Sequence, residues 1–202
     1  MNKFVLWFTK ITAYIPSILY FKKKVIYLEK KEKINKKLII ISNHGSAYDI
    51  GLLMFLLFKR DFYFLAGEEI YKKKLLAWFS SSIGGIKVQR DKIDMSFINK
   101  GSYLLNNDKA LVVFPESMFN NNTDLEYKAN FIYLSLKSEA PILPLYIDPN
   151  YGFFKFKRTK VVVGKKIYLK DLWDFSKDEK ENISYLTSYF KNYVGMLKTR
   201  IK

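Results

Sequence analysis

The sequence predicts an α/β domain: a mostly parallel central sheet with helices packed on its faces. Three observations carry that prediction. KLIIIS (37–42) is an unbroken apolar run rich in β-branched residues, as a strand buried on both faces requires. Further strand-like runs, DFYFLAGEE (61–69), IKVQR (86–90), ALVVF (110–114) and APILPLYI (140–147), alternate with helical stretches at the spacing of βαβ units. The 202 residues, 49% hydrophobic and 17% aromatic, supply enough apolar mass for one such core and exclude a disordered chain.

The elements follow in order. Residues 4–21, FVLWFTKITAYIPSILYF, form an apolar, aromatic-rich segment followed at once by Lys22, Lys23 and Lys24. Thr9, Lys10, Thr12 and Pro16 interrupt it, so it falls short of the roughly 20 apolar residues that a spanning helix needs. No small-residue cleavage site follows it, as a signal peptide would require. It reads either as a buried first helix or as a helix lying in the headgroup layer, with Trp7 and Tyr14 keeping their polar tips wet. VIYLE (25–29) is a short strand and KKEKINKK a solvated turn. Helices are expected over 46–58, through YKKKLLAWF, over 93–105 and over 128–138, with SSIGG (81–85) as a break. MFNNNTDLEY (118–127) is a polar loop, RTKVVVGKKIYL (158–169) a strand and turn, and 178–200 a closing basic helix. APILPL, with prolines near its ends, is expected at the edge of the sheet or as its last strand. No repeat or linker divides the chain. The expected organisation is a docking segment over 1–24 and one domain over 25–202.

Charge and composition narrow the chemistry. Thirty-five basic and 19 acidic residues leave +16, which draws polyanions of any kind: nucleic acid, anionic lipid or phosphorylated substrate. The absence of Cys excludes disulfides, catalytic thiols and thiolate metal sites, and a single His argues against zinc. No metal and no cofactor are expected. The lysines are scattered over loops and helix ends without a nucleic-acid-binding signature, so no nucleic-acid partner is expected.

In open parallel sheets ligands sit just beyond the C-terminal strand ends. That rule selects Asn43-His44 after KLIIIS, Arg90 after IKVQ, and Pro115-Glu116-Ser117 after ALVVF. On a continuous helix His44 and Asp49 would lie about 140° apart, too far round to touch. With His44 on the loop and the helix starting near Ser46, the Asp49 carboxylate can fold back onto one imidazole nitrogen. That is a base with its orienting acid, without a serine nucleophile. The same stretch also fits a capping box, in which Asp49 reaches back to a backbone N–H. Arg90 reads as a surface arginine paired with Asp91 or Asp94, or as a bidentate phosphate clamp. Glu116 reads as a turn acid, or as a carboxylate held stiffly by Pro115 for a site.

Together these segments resemble a known family. NHGSAYD matches NHxxxxD, GGIKVQR is similar to a GxIxxxR block, FPES looks like a variant of FPEG, and APILPL resembles a VPIVPV strand. Order and separations agree with the glycerolipid and lysophospholipid acyltransferases, whose bacterial members include 1-acylglycerol-3-phosphate acyltransferases. The resemblance covers about residues 35–150 and implies a glycerol-3-phosphate acyltransferase-like α/β fold. It implies that His44 is a general base on an acceptor hydroxyl and that Asp49 orients it. Arg90 would bind the acceptor's phosphate, Glu116 the glycerol portion, and Lys128, in YKANF, a second phosphate oxygen. Asn43 and Ser117, next to His44 and Glu116, would also contact substrate. The donor would be acyl-CoA or an acylated acyl carrier protein, the acceptor a lysophospholipid. The setting would be the cytoplasmic face of an anionic membrane, reached peripherally or monotopically through residues 4–21.

The departures are specific. The family's Gly-Thr-Arg-Ser after FPE is here Ser117-Met118-Phe119-Asn120, so one phosphate-binding Arg is missing. That leaves open a different lysolipid or another alcohol as acceptor. Other readings are a thioesterase that activates water with the same pair, a lipid-binding member without catalysis, and a basic nucleic-acid-binding protein.

Overall fold

A computed structural model describes residues 1–20, 24–30, 36–46, 49–57, 60–88, 95–116, 127–150 and 159–201. Helix α1 (Lys3–Tyr20) leads into β1 (Lys24–Tyr27) and β2 (Leu38–Ser42). One α-helical turn, α2 (Asp49–Gly51), widens into a π-helix over Leu52–Leu57. Then come β3 (Phe62–Gly67), α3 (Glu68–Tyr71), α4 (Lys74–Ser82), β4 (Gly85–Val88) and α5 (Met95–Asn106). The chain continues through β5 (Ala110–Val113), α6 (Asn130–Ser138), β6 (Ile142–Ile147), β7 (Lys160–Val163), a 3₁₀ turn at Leu169–Asp171 and α7 (Glu179–Lys198).

The seven strands form one sheet in the order β1-β7-β6-β2-β5-β3-β4. β4, β3, β5, β2 and β6 are mutually parallel. β7 pairs antiparallel with β6, and β1 pairs parallel with β7. The predicted mostly parallel α/β class is therefore the observed one.

KLIIIS shows how the layers arise. Leu38, Ile39, Ile40 and Ile41 are at most 1% exposed, yet alternate residues enter different layers, as the two-residue period of a strand dictates. Ile39 and Ile41 join Leu111, Val113 and Ile142 against Phe97, Phe131, Phe190 and Leu186 of α5, α6 and α7. Leu38 and Ile40 join Val112, Leu143 and Leu145 against Leu6 of α1 and Leu52, Leu53 and Met54. A strand lined by helices on both faces has no polar side to show. This explains why its sequence carries no polar alternation.

One expectation is corrected. APILPL is no edge strand: β6 lies between β7 and β2, with Pro144 aligned with Ile41. The proline is tolerated because it sits where the ladder to β7 begins, its carbonyl accepting from the Gly164 N–H at 2.9 Å. The helix expected from near Ser46 is described from Asp49 on, where the Asp49 N–H donates to the Ser46 carbonyl at 3.0 Å and the Asp49 carboxylate folds back onto the Gly45 and Ser46 amides.

In the turn between α4 and β4, Gly84 has φ +106°, and a Cβ there would lie 2.5 Å from the Phe62 carbonyl oxygen. Gly84→Ala is expected to lower stability by about 1–3 kcal/mol through strain alone, read as a shift in the urea midpoint with an unchanged slope.

Candidate active site

The C-terminal ends of three adjacent strands, β6, β2 and β5, meet at one rim of the sheet. Beyond Ser42 the chain is held by Asn43, whose side-chain amide donates to the Ile147 carbonyl at 2.8 Å. Its carbonyl oxygen accepts from the Ile147 N–H, also at 2.8 Å. One side chain thus extends the β2–β6 ladder past its last backbone pair and aims the next residue. Sequence reading gave Asn43 to substrate; here both ends of its amide serve the scaffold.

The next residue is His44. Its ring stacks on Phe114, the first residue beyond β5, with centroids 3.9 Å apart and planes tilted by 15°. Asp49 is wholly buried, and its Oδ2 lies 2.9 Å from His44 Nδ1. The same oxygen accepts from the backbone N–H of Gly45 at 3.0 Å and of Ser46 at 3.1 Å. The two readings of NHGSAYD are therefore both realised by one atom, which caps the loop and holds the imidazole. A carboxylate only accepts, so Nδ1 carries the proton and the Nε2 lone pair is the basic one. Gly45 packs closely on the segment beyond β6: a Cβ there would sit 3.1 Å from Pro149 Cβ, a tight contact.

Glu116 comes from β5. It forms an antiparallel bridge with Tyr127, and the Lys128 N–H donates to the Pro115 carbonyl at 3.1 Å. The polar loop between them is thus tied at its base. The Glu116 carboxylate accepts from the backbone N–H of His44. Burial pushes this carboxyl above its ordinary range, opposed by that hydrogen bond and by the charges of His44 and Lys191. The structure therefore brings His44, Asp49 and Glu116 together, with Lys128 one residue beyond the strand bridge. Arg90 and Ser117 lie outside the described residues. The strand leading to Arg90, β4, is three spacings from β2, roughly 14 Å.

Sequence reading missed three neighbours. Tyr127 and Tyr146 have phenols raised above the ordinary value by burial, and both feel the Glu116 charge. The Tyr127 hydroxyl is buried without a hydrogen-bond partner among the described residues. Lys191 reaches the field of Glu116 from α7, which packs on β6. Tyr146 lies in the proline-containing strand and Lys191 in the basic closing helix, but neither segment singles them out by local pattern. Among the described residues no group of three His, Cys, Asp or Glu side chains is placed to hold a metal ion.

Asn43→Ala is expected to destabilise by about 2–4 kcal/mol, because it strands the Ile147 N–H and carbonyl together. Thermal or urea unfolding checks this, and Asn43→Asp, which keeps only the acceptor, should fall between.

A sequence model of the family described as Acyltransferase matches residues 24–148, more than half of the chain. Among solved structures, the crystal structure of the 1-acyl-sn-glycerophosphate (LPA) acyltransferase PlsC from Thermotoga maritima superposes with a TM-score of 0.62 at 23% identity. The match covers 99% of this chain and 80% of that one, a likeness of fold. Among the described residues no helix is long and apolar enough to cross a membrane. The match from β1 through β6 takes in the three strand ends that meet at His44, and the chain belongs to the acyltransferase family.

Proposed function

We propose that the chain transfers a fatty acyl group from an acyl thioester to a hydroxyl of a lysophospholipid, with 1-acylglycerol-3-phosphate as the acceptor. The single observation carrying this reading is the 2.9 Å contact between His44 Nδ1 and the buried Asp49 carboxylate, with Glu116 on the His44 backbone amide. Family membership supplies the reaction class, and the PlsC fold likeness supports the acceptor.

In this reading His44 Nε2 takes the proton of the acceptor hydroxyl as its oxygen bonds to the thioester carbon. Asp49, accepting from Nδ1–H, holds the ring and stabilises the imidazolium. When the tetrahedral centre collapses, the carbon–sulfur bond breaks, and the imidazolium returns its proton to the departing thiolate. No acyl-enzyme forms. Glu116 accepts from a glycerol hydroxyl and fixes which oxygen faces His44. Arg90 and Lys128 hold the phosphate, with Ser117 beside Glu116. The donor thiol is coenzyme A or the prosthetic thiol of an acyl carrier protein. The lipid acceptor places the reaction at a membrane surface, on its cytoplasmic face.

His44→Ala is expected to lower transfer by about 10²–10⁴-fold across a panel of lysolipids. Assay with labelled acyl-CoA and acylated carrier protein in parallel identifies the donor. Label appearing as free fatty acid regardless of acceptor, or equal rates in wild type and variant, would overturn the proposal.

Glu116→Gln separates stability from activity. A carboxyl raised on folding is favoured in its protonated form, so its ionised form opposes folding as pH rises through that raised range. The Gln variant should therefore be at least as stable as wild type at neutral pH while losing about 10-fold or more in kcat/KM. In wild type, transfer should fall as acidification protonates Glu116, beginning above the pH at which an ordinary glutamate titrates. The acid limb attributable to Glu116 should be absent in the variant.

A further inference from the structure

Helix α4 is inverted. Leu75, Leu76, Trp78 and Phe79 are 74%, 45%, 55% and 38% exposed, while Ser80 and Ser82 are 5% and 8% exposed. A Cβ on Gly85 would lie 2.1 Å from Ser80 Oγ, so the Ser80 side of the helix rests directly against the Gly85 backbone. Its large apolar residues are left facing outward.

Helix α1 lies alongside. Phe4, Trp7, Phe8 and Ile11 recur at i, i+3, i+4 and i+7, a single stripe about 100° wide, and all are exposed. Leu6, on the other side, is 4% exposed and enters the core. The two helices pack against each other, and the Asn2 N–H donates to the Ser82 carbonyl at 2.9 Å. The stripe of α1 and the outward face of α4 therefore belong to one region of the surface. Sequence reading gave membrane contact to the N-terminal segment alone.

We propose that α4, a helix from the middle of the chain, forms with α1 a single docking face for an anionic lipid bilayer. Charge and chemistry choose this occupant. Each helix presents a Trp, whose amphipathic ring favours the headgroup level. Lys72, Lys73 and Lys74, all exposed, crowd the start of α4, and Lys3 opens α1. Their stems lie along apolar surface while the ammonium groups reach anionic headgroups. A second copy of this chain would bring another +16 against the same face, whereas an anionic surface is attracted by it. The inference deepens the reading of a lipid acceptor and rests on it for its purpose. Docking itself is measured without donor or acceptor.

The test uses the full chain with vesicles of phosphatidylcholine alone or mixed with phosphatidylglycerol. Wild type should float with the mixed vesicles and far less with the neutral ones. Leu75→Ser/Trp78→Ser should weaken partitioning by about tenfold or more, and Lys72→Glu/Lys73→Glu/Lys74→Glu should abolish the preference for anionic lipid. A Trp7→Phe/Trp173→Phe chain keeps Trp78 as its sole Trp. Its emission should shift to the blue and be quenched by acyl chains brominated near the headgroup. Far-UV circular dichroism and transfer to a monomeric short-chain lysophosphatidate, both unchanged in the Leu75/Trp78 variant, show that it is folded. Undiminished flotation of that variant, an unquenched Trp78, equal binding to neutral vesicles, or lipid-free dimers broken by the Leu75/Trp78 change would overturn the proposal. If Trp78 inserts while no variant or wild type transfers acyl groups, docking stands and the functional reading fails instead.

Discussion

A buried carboxylate at the mouth of a parallel sheet holds the rest of the site in place. Asp49 has no exposed surface, and such a group is tolerated only when its lone pairs are met. Oδ2 meets that demand with two loop amides and an imidazole N–H. Each partner constrains something different. The amides of Gly45 and Ser46 tie the loop to the first turn of the helix, and the imidazole contact fixes the His44 tautomer. The His44 backbone N–H then satisfies Glu116, a carboxyl raised by its own burial. Removing the charge at Asp49 would loosen a loop, a ring and a second acid together.

The sheet order makes this coupling possible. β2 has β5 on one side and β6 on the other, so what leaves β2 is flanked by both strand ends. Phe114 from the β5 side stacks on the His44 ring, and Ile147 on the β6 side grips the Asn43 amide. The imidazole is thereby limited to one orientation before any substrate arrives, which is the preorganisation that general base chemistry exploits. Near Glu116 lie the buried phenol of Tyr127, which has no hydrogen-bond partner among the described residues, and the charge of Lys191 from α7. The closing helix was expected from the sequence, but its approach to Glu116 was not.

Much of this was legible because it is local. The apolar run KLIIIS announces a strand covered on both faces, and the spacing of strands and helices announces a parallel sheet. The His44–Asp49 pair was legible as a possibility, since a helix beginning after the loop lets a first-turn carboxylate fold back. The scaffold role of Asn43 was not legible: a polar residue beside the His44–Asp49 motif reads as a contact for substrate, and its grip on Ile147, 104 residues away, is seen only in the fold. The proline strand was misplaced for a similar reason. Pro144 removes one donor, and whether that matters depends on which neighbour faces it.

The sequence by itself determined the class of fold, the identities of nearly all strands and the pairing of His44 with Asp49 as a possibility at the tip of β2, because periodicity and residue type act over a few positions. Tertiary structure alone decided which strand ends share a rim, that Glu116 reaches the His44 amide, and that α4 buries Ser80 while Leu75 and Trp78 face outward. Those outcomes depend on contacts between distant segments, such as Asn2 on the Ser82 carbonyl and β2 between β5 and β6. No local pattern carries them, since the residues involved are ordinary until their neighbours are known.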